Sequence, residues 1–280
     1  MSFVVSVIAP GAMGSAIGIR LLENAAEVRT SLIGRSETSV VRAKAAGMIS
    51  VDDELIASSD VILSIVPPSE AIKLAERLSP ALKSTTPKPF FIDCNAVSPL
   101  TAAAVGDIVT ATGSRYVDGC IIGLPPKPGA PGPTLYFSGE HAREAMVLAR
   151  FGLNVRALDA PIGAASALKM SYAGITKGLT GLAAATILAA SQAGAGAALR
   201  EELQNSQPAL LDRFSKVLPD MYSKAYRWVA EMQEISQFSD NDPGTRAIYG
   251  GFALLFDKLA QDYRGNKVEI GAIEAFLNLA

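Results

Sequence analysis

Short runs of β-branched and aromatic residues recur through the first half of the chain, at 3–9, 30–34, 61–66, 90–94, 116–122, 134–138 and 154–158, and each reads as a strand. Between the early runs, at 12–23, 69–82 and 99–111, apolar positions fall three and four apart, the spacing of a helix with one buried face. This alternation predicts βαβ units on a mostly parallel sheet, with right-handed crossovers placing helices on both faces. After Pro161 the strand signal stops. Residues 163–193 form one long helical pattern, and the remainder is helix interrupted at Ser206-Gln207-Pro208, at 240–244 and at Arg264-Gly265-Asn266. The chain therefore reads as α/β: a sheet domain over residues 1–160, joined by a long interdomain helix to an all-helical domain over residues 161–280.

Three segments stand out from this alternation. Met221, Ala225, Trp228, Met232 and Ile235 are spaced 4, 3, 4 and 3 apart, which predicts one helix with an apolar stripe available for packing or for a share in a substrate pocket. Residues 178–199 carry no charge and are long enough to span a bilayer, but they are mostly Ala, Gly, Thr and Ser, a composition suited to a helix buried between domains or subunits. Residues 124–133 hold Pro125, Pro126, Pro128, Pro131 and Pro133 and predict a stiff, extended loop.

Composition narrows the function. With 49% hydrophobic residues the 280-residue chain can bury a substantial core. Only 19% is charged, against roughly 25% in an average domain, so another subunit or domain is expected to cover part of the surface. A net charge of −2 argues against nucleic-acid binding. Two cysteines, Cys94 and Cys120, supply neither a disulfide framework nor the usual zinc site, and both read as small buried residues. The single histidine, His141, reads as the exposed start of a helix, so no metal site is expected. The first apolar run is short and broken by Pro10-Gly11, which predicts neither a secretory signal nor a membrane anchor; the expected compartment is the cytoplasm.

The first strand runs through Val7-Ile8-Ala9-Pro10 into Gly11-Ala12-Met13-Gly14 and then a helix, the context of a Rossmann dinucleotide site. Gly11 lets the backbone approach a pyrophosphate, Gly14 lets helix and strand pack closely, and the first-turn amides hold the anion. Val66-Pro67, after a later strand, are further candidate cofactor contacts. The second strand is expected to end with Arg35-Ser36 rather than the carboxylate that binds a ribose 2′-hydroxyl. A guanidinium and a hydroxyl suit a 2′-phosphate, which predicts NADP(H).

The segment 9–14 is similar to a Gly-x-Gly-x-Met-Gly pattern, and Asp93-Cys94-Asn95-Ala96-Val97-Ser98-Pro99 to Asp-x-Ser-Thr-x-x-Pro, with Asn95 in place of a substrate-binding serine. Tyr116-Val117-Asp118-Gly119-Cys120-Ile121-Ile122-Gly123 resembles an Asp-Ala-Pro-Val-Ser-Gly-Gly strand in which Ile122 and Leu124 replace the serine and second glycine. Residues 163–170 resemble the start of an interdomain helix bearing a lysine, here Lys169. Along its whole length the chain thus resembles the superfamily of β-hydroxyacid dehydrogenases, 6-phosphogluconate dehydrogenase and imine reductases. The resemblance implies that Lys169 is catalytic. Sugar-acid enzymes follow this lysine with His-Asn and Glu-Tyr, where this chain has Tyr172-Ala173 and Thr176-Lys177, so 6-phosphogluconate dehydrogenase itself is not implied. Imine reductases usually carry Asp or Tyr at the position of Lys169. Residues 226–235 resemble the branch whose C-terminal domain is described only as phosphogluconate-dehydrogenase-like.

Lys169, Tyr172 and Thr176 lie at i, i+3 and i+7 and share a helix face. Reduction of a carbonyl leaves an alkoxide that needs a proton, and a lysine in a cleft is suited to supply it. Tyr172 is the alternative donor or an orienting group, and Asn95 either binds substrate or nicotinamide ribose or caps the next helix. Gly123, Thr176, Trp228 and Met232 are candidate substrate contacts, and Lys127 and Lys177 candidate anion holders. The reading is an NADP(H)-dependent oxidoreductase acting on a small carbonyl or alcohol. Imine reduction and NADP(H) binding without turnover are the alternatives. Relatives implied by the resemblance interlock their helical domains, so a homodimer is expected.

Overall fold

Neighbouring residues of the central strands are buried on opposite sides of one sheet. In the computed structural model, which describes residues 2–127, 129–239 and 242–278, β1 (Val4–Ile8), β2 (Glu27–Thr30), β3 (Ile49–Ser50), β4 (Val61–Ser64), β5 (Phe90–Asp93), β6 (Arg115–Ile122), β7 (Thr134–Ser138) and β8 (Asn154–Ala157) form an eight-stranded sheet in the order β3-β2-β1-β4-β5-β6-β7-β8. Pro128 of the proline-rich segment and Asp240 and Asn241 of the second interruption lie outside the described residues. Val7, Leu63, Ile92 and Val117 enter one core with Ile17 and Leu21 of α1 (Ala12–Glu23). Ile8, Ile62, Phe91 and Tyr116 enter the other with Leu74 and Leu78 of α4 (Ala71–Ser84) and Val105 of α5 (Pro99–Thr110). This period of two under helices on both faces is what a buried parallel sheet requires. Each fully enclosed Leu, Ile or Phe contributes about 2 kcal/mol.

The strands from β3 to β6 are parallel; β7 returns antiparallel to β6, and β8 runs parallel to β7. The remaining helices of this unit are α2 (Glu37–Ala45), α3 (Asp53–Ala57) and α6 (Ala142–Ala145). Local signals fix several ends. Ser98 caps α5 by accepting from the Thr101 amide ahead of Pro99, and Asp52 caps α3 through the Leu55 amide.

The second strand departs from expectation. It occupies Glu27–Thr30 instead of 30–34, because pairing Val4 with Glu27 and Val5 with Val28 buries Val28 and lets the Thr30 hydroxyl donate to the Val7 carbonyl at 2.8 Å. Ile33 is then left 60% exposed in the following loop. The two-residue β3, exposed at both positions, carries no periodic signal.

Chain contacts divide the molecule into units Met1–Lys169 and Met170–Ala280, a division that falls within α7 (Ala164–Gln192). The second unit holds the rest of α7 with α8 (Gly196–Ser206), α9 (Pro208–Tyr222), α10 (Ala225–Phe238), α11 (Pro243–Arg264) and α12 (Val268–Asn278). Two expectations are corrected here. The uncharged stretch 178–199 is not one helix, since α7 stops at Gln192 and Gly194, at φ 76°, turns the chain into α8. The stripe from Met221 to Ile235 spans two helices, because a turn bonding the Lys224 amide to the Met221 carbonyl ends α9. Met221, Ala225, Met232 and Ile235 are nonetheless all buried. Among the described residues, α7 is the one helix long and apolar enough to cross a membrane, and half of its most apolar window is buried by the protein itself, as in a core helix.

Glycines bring α7 close to α11. A Cβ at Gly174 would lie 2.7 Å from the Tyr249 hydroxyl, and one at Gly181 would lie 2.8 Å from Phe252 and 3.2 Å from the buried Phe256. Gly181→Val should therefore destabilise the protein by roughly 1–3 kcal/mol through overpacking. By contrast Gly251→Ala, where an added Cβ meets nothing within 4 Å, should gain about 0.5–1 kcal/mol of helix propensity. Urea unfolding of both variants checks this pair of opposite signs.

Candidate active site

The C-terminal ends of β1, β4, β5 and β6 lie along one edge of the sheet, and nearly every candidate residue of the first unit gathers there. After β1, the Gly11 amide donates to the Ala9 carbonyl at 2.8 Å, and Gly11 becomes the N-cap of α1 with no side-chain cap. The amides of Ala12, Met13 and Gly14 open the helix, where no intrahelical acceptor precedes them. A Cβ at Gly11 would meet nothing within 4 Å, so the space before the helix is open; one at Gly14 would lie 2.1 Å from the Ala9 carbonyl oxygen, so that position must be glycine. An open, uncapped helix N-terminus fits the pyrophosphate of a dinucleotide.

Arg35 and Ser36 lie in the segment between β2 and α2. The Arg35 Nε is enclosed without a hydrogen-bond partner, a donor left for a ligand anion. Ser36 also caps α2 through the Ser39 amide. Arg42, which the sequence gave no reason to single out, donates to the Pro10 carbonyl at 3.4 Å and brings a second guanidinium to the turn. Only this hydrogen bond from α2 to the turn after β1 reveals it.

Asn95 is 2% exposed, and its amide is already engaged: Oδ1 accepts from the Val66 amide at 2.6 Å and Nδ2 donates to the Ser64 hydroxyl at 2.8 Å. It clamps the loops after β4 and β5 together. The capping role does not describe it, since the α5 cap is Ser98, and the Val66 amide is bonded to Asn95 itself. Pro67 remains exposed at the edge and begins a short 3-10 turn, Pro68–Glu70.

Lys169, near the start of α7, donates from Nζ to the Ile121 carbonyl at 2.8 Å, which holds its ammonium at the end of β6. Three residues earlier on the same strand lies Asp118, fully buried. Its Oδ2 accepts from the Ser138 hydroxyl and from the amides of Gly163, Ala165 and Ser166 at 2.8, 2.9, 3.0 and 3.2 Å, and its Oδ1 accepts from the Ser166 hydroxyl at 2.7 Å. Sequence reasoning gave Asp118 no role; the signal was a charged residue within an otherwise apolar strand run.

Asp93 pairs with Asp118 across β5 and β6, but only its Oδ1 has a partner, the Asn95 amide at 3.0 Å. Burial, with the neighbouring Asp118 charge adding to it, raises its pKa to about 7. Cys94 and Cys120 are buried free thiols, and burial pushes Cys120 up to about 12, which leaves it unreactive. Gly123, at φ 128° with a would-be Cβ 3.0 Å from Pro133, closes the turn out of β6. The proline-rich loop beyond is tied to α1 by Arg20, which donates to the carbonyls of Lys127 and Ala130 at 3.0 Å each.

The second unit carries the other candidates. Tyr172 is half exposed on α7, and the Thr176 hydroxyl bonds back to the Tyr172 carbonyl at 2.8 Å. Trp228 packs edge-on against Phe256, with Lys177 over its ring and ion-paired to Glu231, so Lys177 is not a free anion holder. Met232 is fully buried on the core face of α10 and has no surface for a substrate, which corrects that expectation.

A model of the NAD binding domain of 6-phosphogluconate dehydrogenase matches residues 4–147, just over half the chain. The chain belongs to the 6-phosphogluconate dehydrogenase-like superfamily. Within that superfamily, residues 190–259 match a domain of unknown function, DUF1932. The chain is 27% identical to an uncharacterized 28.5 kDa protein of Methanothermus fervidus over 76% of this chain and 81% of that protein. It is 28% identical to an NADPH-dependent reductive aminase of Aspergillus oryzae over 50% of this chain and 46% of that one, so this match spans about half of each. Among solved structures, MTH1747, a conserved protein of unknown function described as similar to 3-hydroxyacid dehydrogenases, matches with a TM-score of 0.74 and 28% identity over 93% of this chain and 98% of its own. A 3-hydroxyisobutyrate dehydrogenase of Mycobacterium tuberculosis and an imine reductase of Myxococcus stipitatus share the fold, at TM-scores of 0.67 and 0.56 and identities of 16% and 19%. They cover 98% and 99% of this chain and 99% and 100% of theirs. The superfamily is one of oxidoreductases, and the matched NAD binding domain indicates a nicotinamide cofactor.

The Asp93 carboxyl makes a testable contribution to stability. It keeps its proton in the folded protein to about pH 7, whereas an ordinary carboxyl releases it near 3.8. Between those values the folded state holds more protons than the unfolded chain, so rising pH lowers stability, at most by roughly 1.4 kcal/mol per pH unit, and the loss levels off above 7. Asp93→Asn should remove this slope. Urea unfolding of parent and variant from about pH 4 to pH 8 should show their difference moving in the variant's favour, and a constant difference would contradict the assignment.

Proposed function

We propose that the protein is an NADP(H)-dependent reductase of small carbonyl compounds, acting in reverse as a dehydrogenase of alcohols or hydroxyacids. The observation that carries this reading is the Lys169 ammonium, held at the end of β6 on the same sheet edge where the Gly11 turn opens. The nicotinamide, when bound, supplies or accepts the hydride. Lys169 gives the substrate oxygen its proton in the reductive direction and removes it in the oxidative one. Tyr172, three residues further along α7 and half exposed, is the alternative proton donor or an orienting group. The enclosed, unpartnered Arg35 Nε, with Ser36 beside it, supports NADP(H) over NAD(H).

Imine reduction is the second reading, favoured by the likeness to the reductive aminase. A homodimer joined through the helical unit is also part of the proposal. It is supported by Ile175, Leu182, Ile248 and Leu254, which are between 52% and 76% exposed. Two free thiols suit a reducing compartment such as the cytoplasm.

Lys169→Ala should bind NADPH like the parent protein yet lose roughly 10²- to 10⁴-fold in turnover. Unchanged turnover would transfer the proton to Tyr172. Arg35→Ala should weaken NADPH roughly 10- to 100-fold, as the loss of a charge-assisted contact implies, and leave NADH nearly unaffected. Equal affinity of the parent protein for both cofactors would remove the basis of the NADP(H) assignment. Light scattering at micromolar concentration should give twice the chain mass.

A further inference from the structure

We propose that Asp118 is a positioning residue for Lys169, an inference that rests on Lys169 as the proton donor. The two are joined through one strand and one helix. β6 presents the Asp118 carboxylate and, three residues on, the Ile121 carbonyl; α7 presents the Ser166 amide and hydroxyl and, three residues on, the Lys169 ammonium. The helix is therefore attached to the strand at two successive points, and the second is the proposed acid/base.

The first point is well suited to fix the second. Asp118 is fully buried, and among the described residues no cation is paired with it. Its charge is met by three amides at the opening of α7, two hydroxyls and the positive end of the helix dipole. A carboxylate with that many donors resists displacement, because leaving any of them unpaired in the interior costs free energy. The α7 start is thereby locked in rotation and in height along β6. A long, flexible lysine side chain on an unlocked helix would sample many positions, and a misplacement of about 1 Å is enough to cost roughly 100-fold in rate.

The test reads the lysine without requiring turnover. Trace acetylation of the whole protein with acetic anhydride, followed by mass spectrometry, gives the reactivity of each amine. Asp118→Ala should raise the acetylation rate of Lys169 several-fold, while Lys88, held by the Leu82 and Lys83 carbonyls in the same unit, stays unchanged. Asp118→Asn should return Lys169 close to the parent rate, because one amide oxygen can take the place of Oδ2 and the amide NH2 can donate to the Ser166 hydroxyl. If Asp118→Ala does not fold, Ser166→Ala, which removes the contact to Oδ1 alone, should give a smaller rise. An unchanged Lys169 rate in a folded Asp118→Ala or Ser166→Ala protein would overturn the proposal, as would equal increases at Lys169 and Lys88. Failure of the proton-donor reading shows up separately, as full turnover in Lys169→Ala.

Discussion

The architecture turns on a buried carboxylate that has no ion-pair partner among the described residues. Burying a charge without compensation is prohibitive, and Asp118 is tolerated because β7 and the opening of α7 bring it five donors. That requirement ties three elements together: β6, which bears the aspartate, β7, through Ser138, and α7, through residues 163–166. Asp93 is its register neighbour on β5 and met a different fate. Because it is buried, with the like charge of Asp118 adding to the effect, it holds its proton to about pH 7. Two aspartates side by side can occupy this interior because one of them is neutral below that pH.

The cofactor edge is shaped by similar constraints at closer range. Gly14 is dictated by the Ala9 carbonyl rather than by any ligand, whereas Gly11 faces open space. One fingerprint glycine therefore serves helix–strand packing and the other access, which fits the roles expected for a dinucleotide turn. Asn95 contributes by joining the loops after β4 and β5, so that the edge facing the turn is held by side-chain amide bonds in addition to the sheet.

Much of this was legible in the sequence. Residues 12–23 were read as helix and 134–138 as strand, both with the observed ends, because their apolar periods are unambiguous. The second strand was placed too late because Ile33 looks like a strand residue, while the register that buries Val28 and Thr30 is a property of pairing with β1. The break after Met221 was invisible because the apolar spacing continues through it. At the site, Lys169 could be named from its motif. Arg42 and the Asp118 anchor could not, since each depends on an element distant in sequence, and Met232 was misassigned because a stripe does not say which of its members a neighbouring helix covers.

The proposed nicotinamide-dependent hydride transfer to a carbonyl takes place at the edge bearing the Gly11 turn and Lys169. The most direct measurement is stopped-flow NADPH oxidation by the purified protein against pyruvate, cyclohexanone and 1-pyrroline, representing ketoacids, ketones and cyclic imines. Oxidation with a carbonyl compound is expected at a rate well above that with 1-pyrroline. Oxidation with 1-pyrroline alone, or none with any of the three while NADPH binds, would contradict it.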